Sequence, residues 1–536
     1  MAVTQPFMSP CSGGLDLMTS PFELLRKPNV ATELKNFEVD NSGGYRRING
    51  YVDYGDTRPE GSNRILGLYP YALGVVACVD TSVYYSEDGS TWLQINKDTT
   101  SSGKVIGDMA GTSELDRPNQ GQVDFLLMTA PTGRTTTTYG SLNIATGNDA
   151  LARFRIEGTG ASRKYYWEVD HPGVTVGDYL EEHGKHLCMV DKTNAPSTVY
   201  YSTNNTDDTF NGTGSGSVTI PDKITGIKSF RDSLFIFAEK SIYALVNINN
   251  SSTIATQQIT MNLGCISHFS IQEIGGDLIY LSTDGLRTIA GTTRLSDVEL
   301  GSLSHQIQPL LEGIINRKDF YIFNSIVLKS KNQYRLYYTE VSLASTAQKG
   351  IIGTLRPTPE TGGTHFEWST TSGIEVTALG IAENSAGTNV SYHGDDDGYI
   401  YIHDSGDTFN GTNIPYVYST PDIDYGDEGM RKTLHYMLLS IKPEGATDIK
   451  LKVSYDFNSP KILQPPLQDV GAISYPTYYN VGQYGTARYG GSLSPTTRIN
   501  LRGSGTSSSF RFTGADANPP FILTGYYITF AIMDRR

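Results

Sequence analysis

This sequence is poor in charge, in cysteine and in the residues that build helices. Only 18% of its 536 residues are charged, and long stretches rich in Ala, Leu, Glu and Lys are missing, which excludes a mainly helical protein. The four cysteines are widely spaced and form no CxxC pair: they are Cys11, Cys78, Cys188 and Cys265. That spacing fits neither a disulfide framework nor a zinc site, so we predict four buried, reduced thiols.

Long apolar runs are also absent. The most apolar tract, Phe521–Met533, has thirteen residues and contains Gly and Thr, so it is too short and too polar to span a bilayer. The opening MAVTQPFMSP has neither the basic nor the apolar segment of a signal peptide. We therefore expect a soluble protein that is made and assembled in a cytoplasm.

The balance of charge is acidic. With 42 basic and 56 acidic side chains the formal net charge is −14, and no run of Lys or Arg exceeds two residues. Proteins that grip duplex DNA through its phosphates carry a basic face, which this sequence does not show. An acidic protein can still surround DNA, because repulsion keeps the polymer from sticking to its wall.

Glycine and tyrosine are abundant instead, with 56 and 34 copies, and a strand-and-turn pattern recurs along the chain. A β-rich run followed by a turn rich in Asp, Asn or Gly begins at Val83, Val199, Ile279 and Val390. Together with preceding partner strands these give about six or seven hairpin units between about residues 60 and 405, roughly 45–60 residues apart. This period predicts a β-propeller; an array of β-sandwiches is the alternative.

One turn has a more specific pattern. SEDGSTW, Ser86–Trp92, resembles the Asp box of sialidase-type propellers, shortened by one residue. The resemblance implies that Asp88 caps a tight turn and that Trp92 packs between blades. It therefore bears on the fold and not on catalysis.

The two ends of the chain differ from the middle. We predict an all-β fold with an N-terminal arm or platform segment over residues 1–55, a propeller over 56–420 and a C-terminal β-sandwich-like domain over 421–536, where the alternating strands are longer. One short amphipathic helix is predicted within Ser302–Arg317. It should start near Ile307, because Pro309 suits a first turn.

Motifs for catalysis and for cofactors are missing. The sequence contains no GxSxG, HExxH, Walker or Rossmann motif, so we expect neither an enzyme nor a cofactor. We interpret His183 and His186 as strand-edge residues rather than metal ligands, and His393 and His403 as solvated turn residues. A sialidase-like glycosidase stays an alternative, because the sequence cannot place two carboxylates in one cleft.

Three consecutive aspartates, Asp395, Asp396 and Asp397, precede Gly398 and raise the question of calcium. In an alignment to a DxDxDG loop the first ligand would be His393, and no Glu occupies the twelfth position. A turn with Asx-type hydrogen bonds and a left-handed glycine needs the same residues. We therefore favour a turn that binds no metal, with ion binding as the alternative.

The strongest resemblance lies in Gly13–Tyr51, which reads GGLDLMTSPFELLRKPNVATELKNFEVDNSGGYRRINGY. It is similar to the opening of tail nozzle proteins of short-tailed, podovirus-type bacteriophages, also called tail tubular or packaged-DNA stabilisation proteins. The shared features are a Gly-Gly-Leu start, a Ser-Pro, an ATELxNF segment and a GGYRRxxGY segment. Later stretches resemble the same family, namely Glu181–Thr203, Ile224–Leu245, Ile274–Gly291, His393–Lys432 and the final GYYITFAIMDRR.

This resemblance implies a structural, non-catalytic protein of the virion tail. Members of the family form a sixfold ring below the portal and the tail adaptor, and their propellers surround the channel that retains and then passes double-stranded DNA. The implied partners are further copies of the chain in a hexameric ring, the adaptor, tail fibres and the passing DNA, which is contacted without sequence specificity. The chain is shorter than the longest members, which implies that tip or fibre-docking insertions are missing.

The resemblance also directs attention to a few charged residues. Arg46 and Arg47, together with Arg431 and Lys432, are candidates for contact with DNA or with the adaptor; the alternative is that all four are solvated turn charges. In a ring with an acidic lumen, the aspartates at 395–397 would face the lumen or solvent. A propeller-type module that binds a receptor or a glycan is the second functional class that the sequence leaves open.

Overall fold

The chain folds almost entirely into antiparallel β-sheets, as the sequence predicted. The structure is a computed structural model, and it describes residues 4–96, 122–128, 137–147, 151–158, 160, 163–169, 176–207, 209–290, 303–340, 349–357, 364–383, 389–427, 429–470 and 496–533. None of the helices in these ranges has the length and apolarity that crossing a bilayer requires.

The N-terminal segment contributes short strands to sheets whose other strands lie far away in sequence. One short helix, α1 (Pro21–Leu24), interrupts it, capped by the Ser20 hydroxyl. The strands are β1 (Thr4–Pro10), β2 (Glu33–Lys35), β3 (Phe37–Val39), β4 (Tyr45–Arg47) and β5 (Tyr51–Asp53).

The middle of the chain forms sheets of consecutive hairpins. The first four sheets have four strands each. The first two contain β6 (Ile65–Tyr71), β7 (Gly74–Val79), β8 (Ser82–Ser86) and β9 (Leu93–Gln94), and then β10 (Asp124–Met128), β11 (Thr137–Ala145), β12 (Ala152–Glu157) and β13 (Lys164–Val169). The next two contain β14 (Tyr179–His183), β15 (His186–Val190), β16 (Thr198–Tyr201) and β17 (Gly216–Thr219), and then β18 (Ile224–Phe230), β19 (Ser233–Ala238), β20 (Ile242–Val246) and β21 (Ala255–Thr260). Three further sheets follow. The first contains β22 (Gln272–Ile274), β23 (Asp277–Ser282) and β24 (Gly285–Thr288), and the second contains β25 (Tyr321–Leu328), β26 (Gln333–Glu340), β27 (Lys349–Pro357) and β28 (Thr364–Ser372). The third contains β29 (Ala378–Glu383), β30 (Asn389–Gly394) and β31 (Ile400–His403).

These sheets stand around one axis as the blades of a propeller. The first strands lie side by side in the order β6, β10, β14 and β18, and β22, β25, β29 and β6 continue the ring. The turn His268–Ser270, which contacts β18, β23 and β25, bridges the two series. Apolar clusters fill the spaces between neighbouring sheets. In the described residues six blades have four strands, when β5 is counted with β29–β31 as shown below. The three-stranded sheet β22–β24 completes the ring.

The ring is closed by the N-terminal segment. Strand β5 pairs with β31 as the fourth strand of the last blade, with Tyr51 opposite His403 and Asp53 opposite Tyr401. Because these partners lie about 350 residues apart, closure of the propeller depends on a long-range contact that costs chain entropy. The segment that closes the propeller also reaches the C-terminal sheets, so the two parts are tied together.

The helical segment covers the open edge of the three-stranded blade. Helix α2 (Gln308–Ile315) follows a 3₁₀ turn at His305–Ile307 and buries Leu311 and Ile314. The predicted start near Ile307 is confirmed. Just before it, Leu303 donates its N–H to the Leu286 carbonyl and the Ser304 hydroxyl accepts from the Leu286 N–H, so the edge of β24 does not present these groups for pairing.

The C-terminal part forms a sandwich of two sheets. Its strands are β32 (Ile414–Ser419), β33 (Lys432–Pro443), β34 (Lys450–Tyr455), β35 (Gln468–Asp469), β36 (Thr496–Asn500), β37 (Ser504–Gly505), β38 (Ser508–Asp516) and β39 (Phe521–Ile532). One sheet contains β3, β4, β39, β33 and β36, with β1 on β39 and β37 on β33. The other runs on from the blade β25–β28 through β2, β32, β38 and β34 to β35.

Aromatic and aliphatic side chains from both sheets share one core. Met437 and Ile528 from the first sheet lie in the same buried cluster as Leu451 and Phe512 from the second. The pattern of buried residues alternates along β33 and β34, as expected when one face of a sheet is covered. This is the predicted β-sandwich-like packing.

The Asp-box turn has the predicted local structure. The Asp88 carboxylate accepts from the N–H groups of Ser90 and Thr91 at 2.9 and 3.0 Å. The Trp92 indole donates to the Gly89 carbonyl at 3.2 Å and packs at its edge against Tyr54. The four cysteines are buried and free, as predicted; burial raises the pKa of the Cys11 thiol to about 12.

Candidate functional site

The four basic residues picked out by sequence do not form one site, and most are occupied within the chain. Arg46 and Arg47 lie on β4, next to the β39 residues that pair with the end of β33, whereas Arg431 and Lys432 lie at the start of β33. Arg46 on β4 binds Glu38 at 2.9 Å and Glu444 at 2.8 Å. Its side chain is only 14% exposed. Arg46 therefore joins β3 to the end of β33 rather than standing free in solvent.

Arg47 is fully buried. Its guanidinium donates to the backbone carbonyls of Asp407 and Asn518 and lies 3.8 Å from the Asp516 carboxylate. Burial lowers the pKa of Arg47, with the nearby Asp516 charge opposing this. The alternation of β4 causes this placement, because Arg46 and Arg47 point to opposite faces of the strand.

Lys432 is buried as well, and its ammonium group donates to the carbonyls of Asp427 and Thr506. Neighbouring Arg431 is exposed and donates to the Ser504 hydroxyl at 2.9 Å. The candidate role of Arg47 and Lys432 in contacts with DNA or adaptor is therefore corrected, because a buried side chain cannot reach a phosphate outside the chain. They are not solvated turn charges either; only Arg431 fits that description.

A network of buried charges that the sequence did not reveal lies next to Arg46. Glu38 accepts from Arg335 at 2.8 Å and from Lys331 at 3.0 Å. Asp404, after β31, binds the same two cations at 3.1 and 2.7 Å. Burial alone would raise the pKa of Asp404, but the charges of Arg335 and Lys331 outweigh burial and hold it well below its ordinary value. Two blades and the platform strand β3 are thereby linked.

Two histidines extend this network and are not solvated, contrary to the prediction. His393 and His403 are buried, and their Nδ1 atoms are 3.2 Å apart. The His403 Nε2 lies 2.9 Å from the Tyr337 hydroxyl. Burial, together with the charges of Arg335 and Lys331, lowers the pKa of His403 to about 3; burial and His403 lower the pKa of His393.

The first histidine pair is also held within the fold. His183 Nδ1 lies 2.9 Å from the Ser229 hydroxyl. His186 uses Nδ1 toward the Ser202 carbonyl at 2.6 Å and Nε2 toward the Asn249 side chain at 3.0 Å. Both lie at the β14–β15 turn, so the interpretation as strand-edge residues is confirmed.

The acidic turn joins β30 to β31, and its three aspartates have different surroundings. The Asp395 carboxylate accepts from the N–H groups of Asp397 and Tyr399 and from the Tyr401 hydroxyl, at 2.8–3.0 Å. Asp395 is thus buried and does not face a lumen or solvent, which corrects the expectation for this residue. Asp397 is exposed, and Asp396 pairs with Arg64. The described residues contain no group of three or more His, Cys, Asp or Glu arranged to hold a metal ion.

Glu375 lies near this turn, and its pKa is raised to about 7. The cause is burial, followed by repulsion from Asp395, Asp396 and Asp397; Arg64 opposes the shift. In the unfolded chain the pKa of a glutamate is about 4.3. Folding therefore favours the protonated form of Glu375. The stability that this group contributes is fully present below the unfolded pKa of about 4.3 and is lost as the pH rises through about 7.

We accordingly expect Glu375→Gln to stabilise the protein at pH 8 and to leave its stability unchanged at pH 4. A shift of this size amounts to about 4 kcal/mol, which we discount to about 1–2 kcal/mol because the side chain is partly exposed. Urea unfolding at both pH values measures the difference. Glu312→Gln, on the exposed side of α2, serves as the control. Equal effects of Glu375→Gln at both pH values would refute the assignment.

Two polar recesses lie near the propeller axis. A cavity of about 200 Å³ lies among the innermost strands, lined by residues such as Leu66, Phe125, Lys228, Gln272 and Asn324. A larger recess of about 530 Å³ shares Gln122 and Phe269 with it and opens beside Tyr179 and Lys192. Its volume lies in the range of small-ligand pockets.

The charged groups of the axial cavity are paired with one another. His268 Nε2 binds Asp124 at 3.1 Å, and its Nδ1 accepts from the Ile227 N–H at 3.4 Å. Lys228 binds Glu181 at 3.0 Å. Because both nitrogens of His268 are occupied, this pair holds blades together and has no free nitrogen to take a proton from a ligand.

Comparisons with known proteins add the following. No family model matches the chain, and no curated protein matches it. Among solved structures it is similar to the AfRom2 CNH domain (12% identity, 66% of this chain and 98% of that chain, TM-score 0.35). It is also similar to Sqt1 of Saccharomyces cerevisiae (12%, 68% and 99%, TM-score 0.34) and to Hsv2 of Kluyveromyces lactis (11%, 58% and 99%, TM-score 0.29). At such values a similarity says nothing about function.

Proposed function

We propose that this chain is a structural subunit of a tail nozzle, the ring below the portal and adaptor of a short-tailed bacteriophage. The observation that carries the proposal is the resemblance of Gly13–Tyr51 to the opening of that family. In this chain the segment is a structural joint. The Tyr45 hydroxyl accepts from the Gly14 N–H at 3.1 Å and donates to the Ser12 carbonyl at 2.8 Å.

The glycines of the segment are needed for close packing. Gly14 has φ +67°, and a Cβ there would lie 2.6 Å from the Trp368 nitrogen; Gly44 has φ +100°, and a Cβ would lie 2.6 Å from the Leu523 carbonyl oxygen. A larger residue at either position would clash with these backbone atoms, and its own backbone would be strained at positive φ. The segment thus brings the N-terminus against both a blade and the C-terminal sandwich, which suits a rigid wall component.

The role is mechanical and not catalytic in this proposal. A net charge of −14 keeps passing DNA from condensing on the wall, because like charges repel. Copies of the chain surround the channel in the virion tail, with the adaptor above and tail fibres at the side. The genome passes without sequence recognition.

A propeller module that binds a small ligand or glycan is the second candidate, favoured by the axial cavity and its recess. Negative-stain images of disrupted virions labelled with antibody against this chain separate the two. Label at the tail channel, with a particle mass near six copies by light scattering, is the expected result. A strictly monomeric chain that binds or cleaves glycans, or label confined to fibre tips, would refute the nozzle.

A further inference from the structure

Among the described residues, no sheet covers one face of the C-terminal sandwich. Strands β1, β39, β33 and β36 lie side by side, and their register places one row across all four: Met8 opposite Tyr527, Tyr527 opposite Leu438, and Leu438 opposite Arg498. We call the side of this sheet that carries the row the outer face.

The outer face points away from the core. The alternate residues Met437, Leu439 and Ile528 are completely buried in the sandwich, so their neighbours in the row point to the opposite side. Met8 is 76% exposed, Arg498 is exposed, and Tyr527 and Leu438 are half-buried. None of the four belongs to the core cluster.

The chemistry of this face differs from that of the chain as a whole. Along β1, β39, β33 and β36 the outward residues include no Asp or Glu, although the chain has 56 of them. Arg498 lies over the ring of Tyr436, 4.2 Å from its centroid. Met, Tyr and Arg are enriched at the centre of protein interfaces, and Asp and Glu are depleted there.

We propose that the outer face is where a neighbouring copy of this chain docks; this inference rests on the proposed function as a ring subunit. Two chains of net charge −14 repel each other, so self-association needs a surface free of acidic groups. The outer face is such a surface. Two exposed cations, Arg498 and, further along β33, Lys442, provide positive charge that attracts the acidic surface of the neighbouring copy.

The outer face supplies about half of the area that one side of a stable contact needs. Four strands about 4.8 Å apart and seven residues about 3.4 Å long cover roughly 450 Å², whereas a stable interface buries about 800 Å² on each partner. The contact therefore extends past the sheet, most directly along the edge of β1 that pairs with no strand among the described residues. In a ring the surface that receives this face is a different one, because ring contacts are head-to-tail.

Oxidation of methionine locates the contact. Met8 on the outer face and Met261 after β21 have similar exposures, 76% and 69%, so dilute hydrogen peroxide should convert both to sulfoxide at similar rates in the monomer. In the assembled ring we expect Met8 to react at least fivefold more slowly and Met261 to be unchanged, as measured by peptide mass spectrometry. A ring in which Met8 stays as reactive as Met261 would overturn the inference and leave the nozzle proposal intact.

A substitution provides the second arm. Leu438→Asp should abolish the concentration-dependent rise in mass by light scattering, while Leu73→Asp, an exposed leucine of a propeller turn, should not. Equal circular dichroism and Tm for the two variants exclude misfolding as the cause. Assembly by Leu438→Asp like wild type, or protection of Met8 only when the adaptor is added, would refute the second copy as occupant. A chain that stays monomeric under all conditions would refute both proposals.

Discussion

Glu38→Gln is expected to lower the free energy of unfolding by about 3–5 kcal/mol, because it removes one partner of a buried charge network. Glu38 is 2% exposed and binds Arg46, Lys331 and Arg335. In the variant Arg335, itself 1% exposed, would keep Asp404 as its one charged partner among the residues that the structure describes. The loss is expected in chemical unfolding monitored by tryptophan fluorescence at pH 7.

Glu33→Gln is the matched control. Glu33 also pairs with an arginine, Arg511, but the two side chains are 38% and 46% exposed, and exposed pairs contribute about 0–1 kcal/mol. Because Glu38 ties β3 to two blades, its variant should also make the closing strand β5 exchange its amide hydrogens faster. If Glu38→Gln and Glu33→Gln have equal effects, the network does not hold the propeller to the sandwich.

Local patterns in the sequence were sufficient for the parts of the fold that depend on neighbours along the chain. The hairpin period predicted the blades, because consecutive strands pair with each other. The Asp-box turn and the start of α2 were predicted because capping and proline geometry involve residues only a few positions apart.

Such local patterns could not predict contacts between segments that are distant in the sequence. Arg46 and Arg47 looked like surface charges, since their partners Glu444 and Asp516 lie about 400–470 residues away. The pairing of β5 with β31 has no local signal either. A charged residue inside an apolar strand is the one available clue: Arg335 within YRLYYTEV and Glu38 between Phe37 and Val39 both imply a buried partner.

Acidification is expected to destabilise the protein below about pH 6.5 through His393 and His403. In the unfolded chain the pKa of histidine is about 6.5, whereas in the fold that of His403 is about 3 and that of His393 is well below its ordinary value. The unfolded chain therefore binds more protons, so the stability from these groups is present above pH 6.5 and is lost as the pH falls. For His403 alone the loss by pH 4 is about 3 kcal/mol.

His393→Phe isolates one of the two groups. The ring packs against Tyr51 and Tyr401, and its buried Nε2 has no hydrogen-bond partner among the described residues. An apolar ring should therefore fit, with loss of the Nδ1 contact to His403. We expect the slope of unfolding free energy against pH between 6 and 4 to fall by about one proton, while His305→Gln, at an exposed position, leaves it unchanged. Glu375 and Asp395 titrate with the opposite sign and affect all three proteins equally, so the difference between slopes reports on His393. An unaltered slope in His393→Phe would show that His393 does not resist protonation, and the buried network would then not be the acid-sensitive part of the fold.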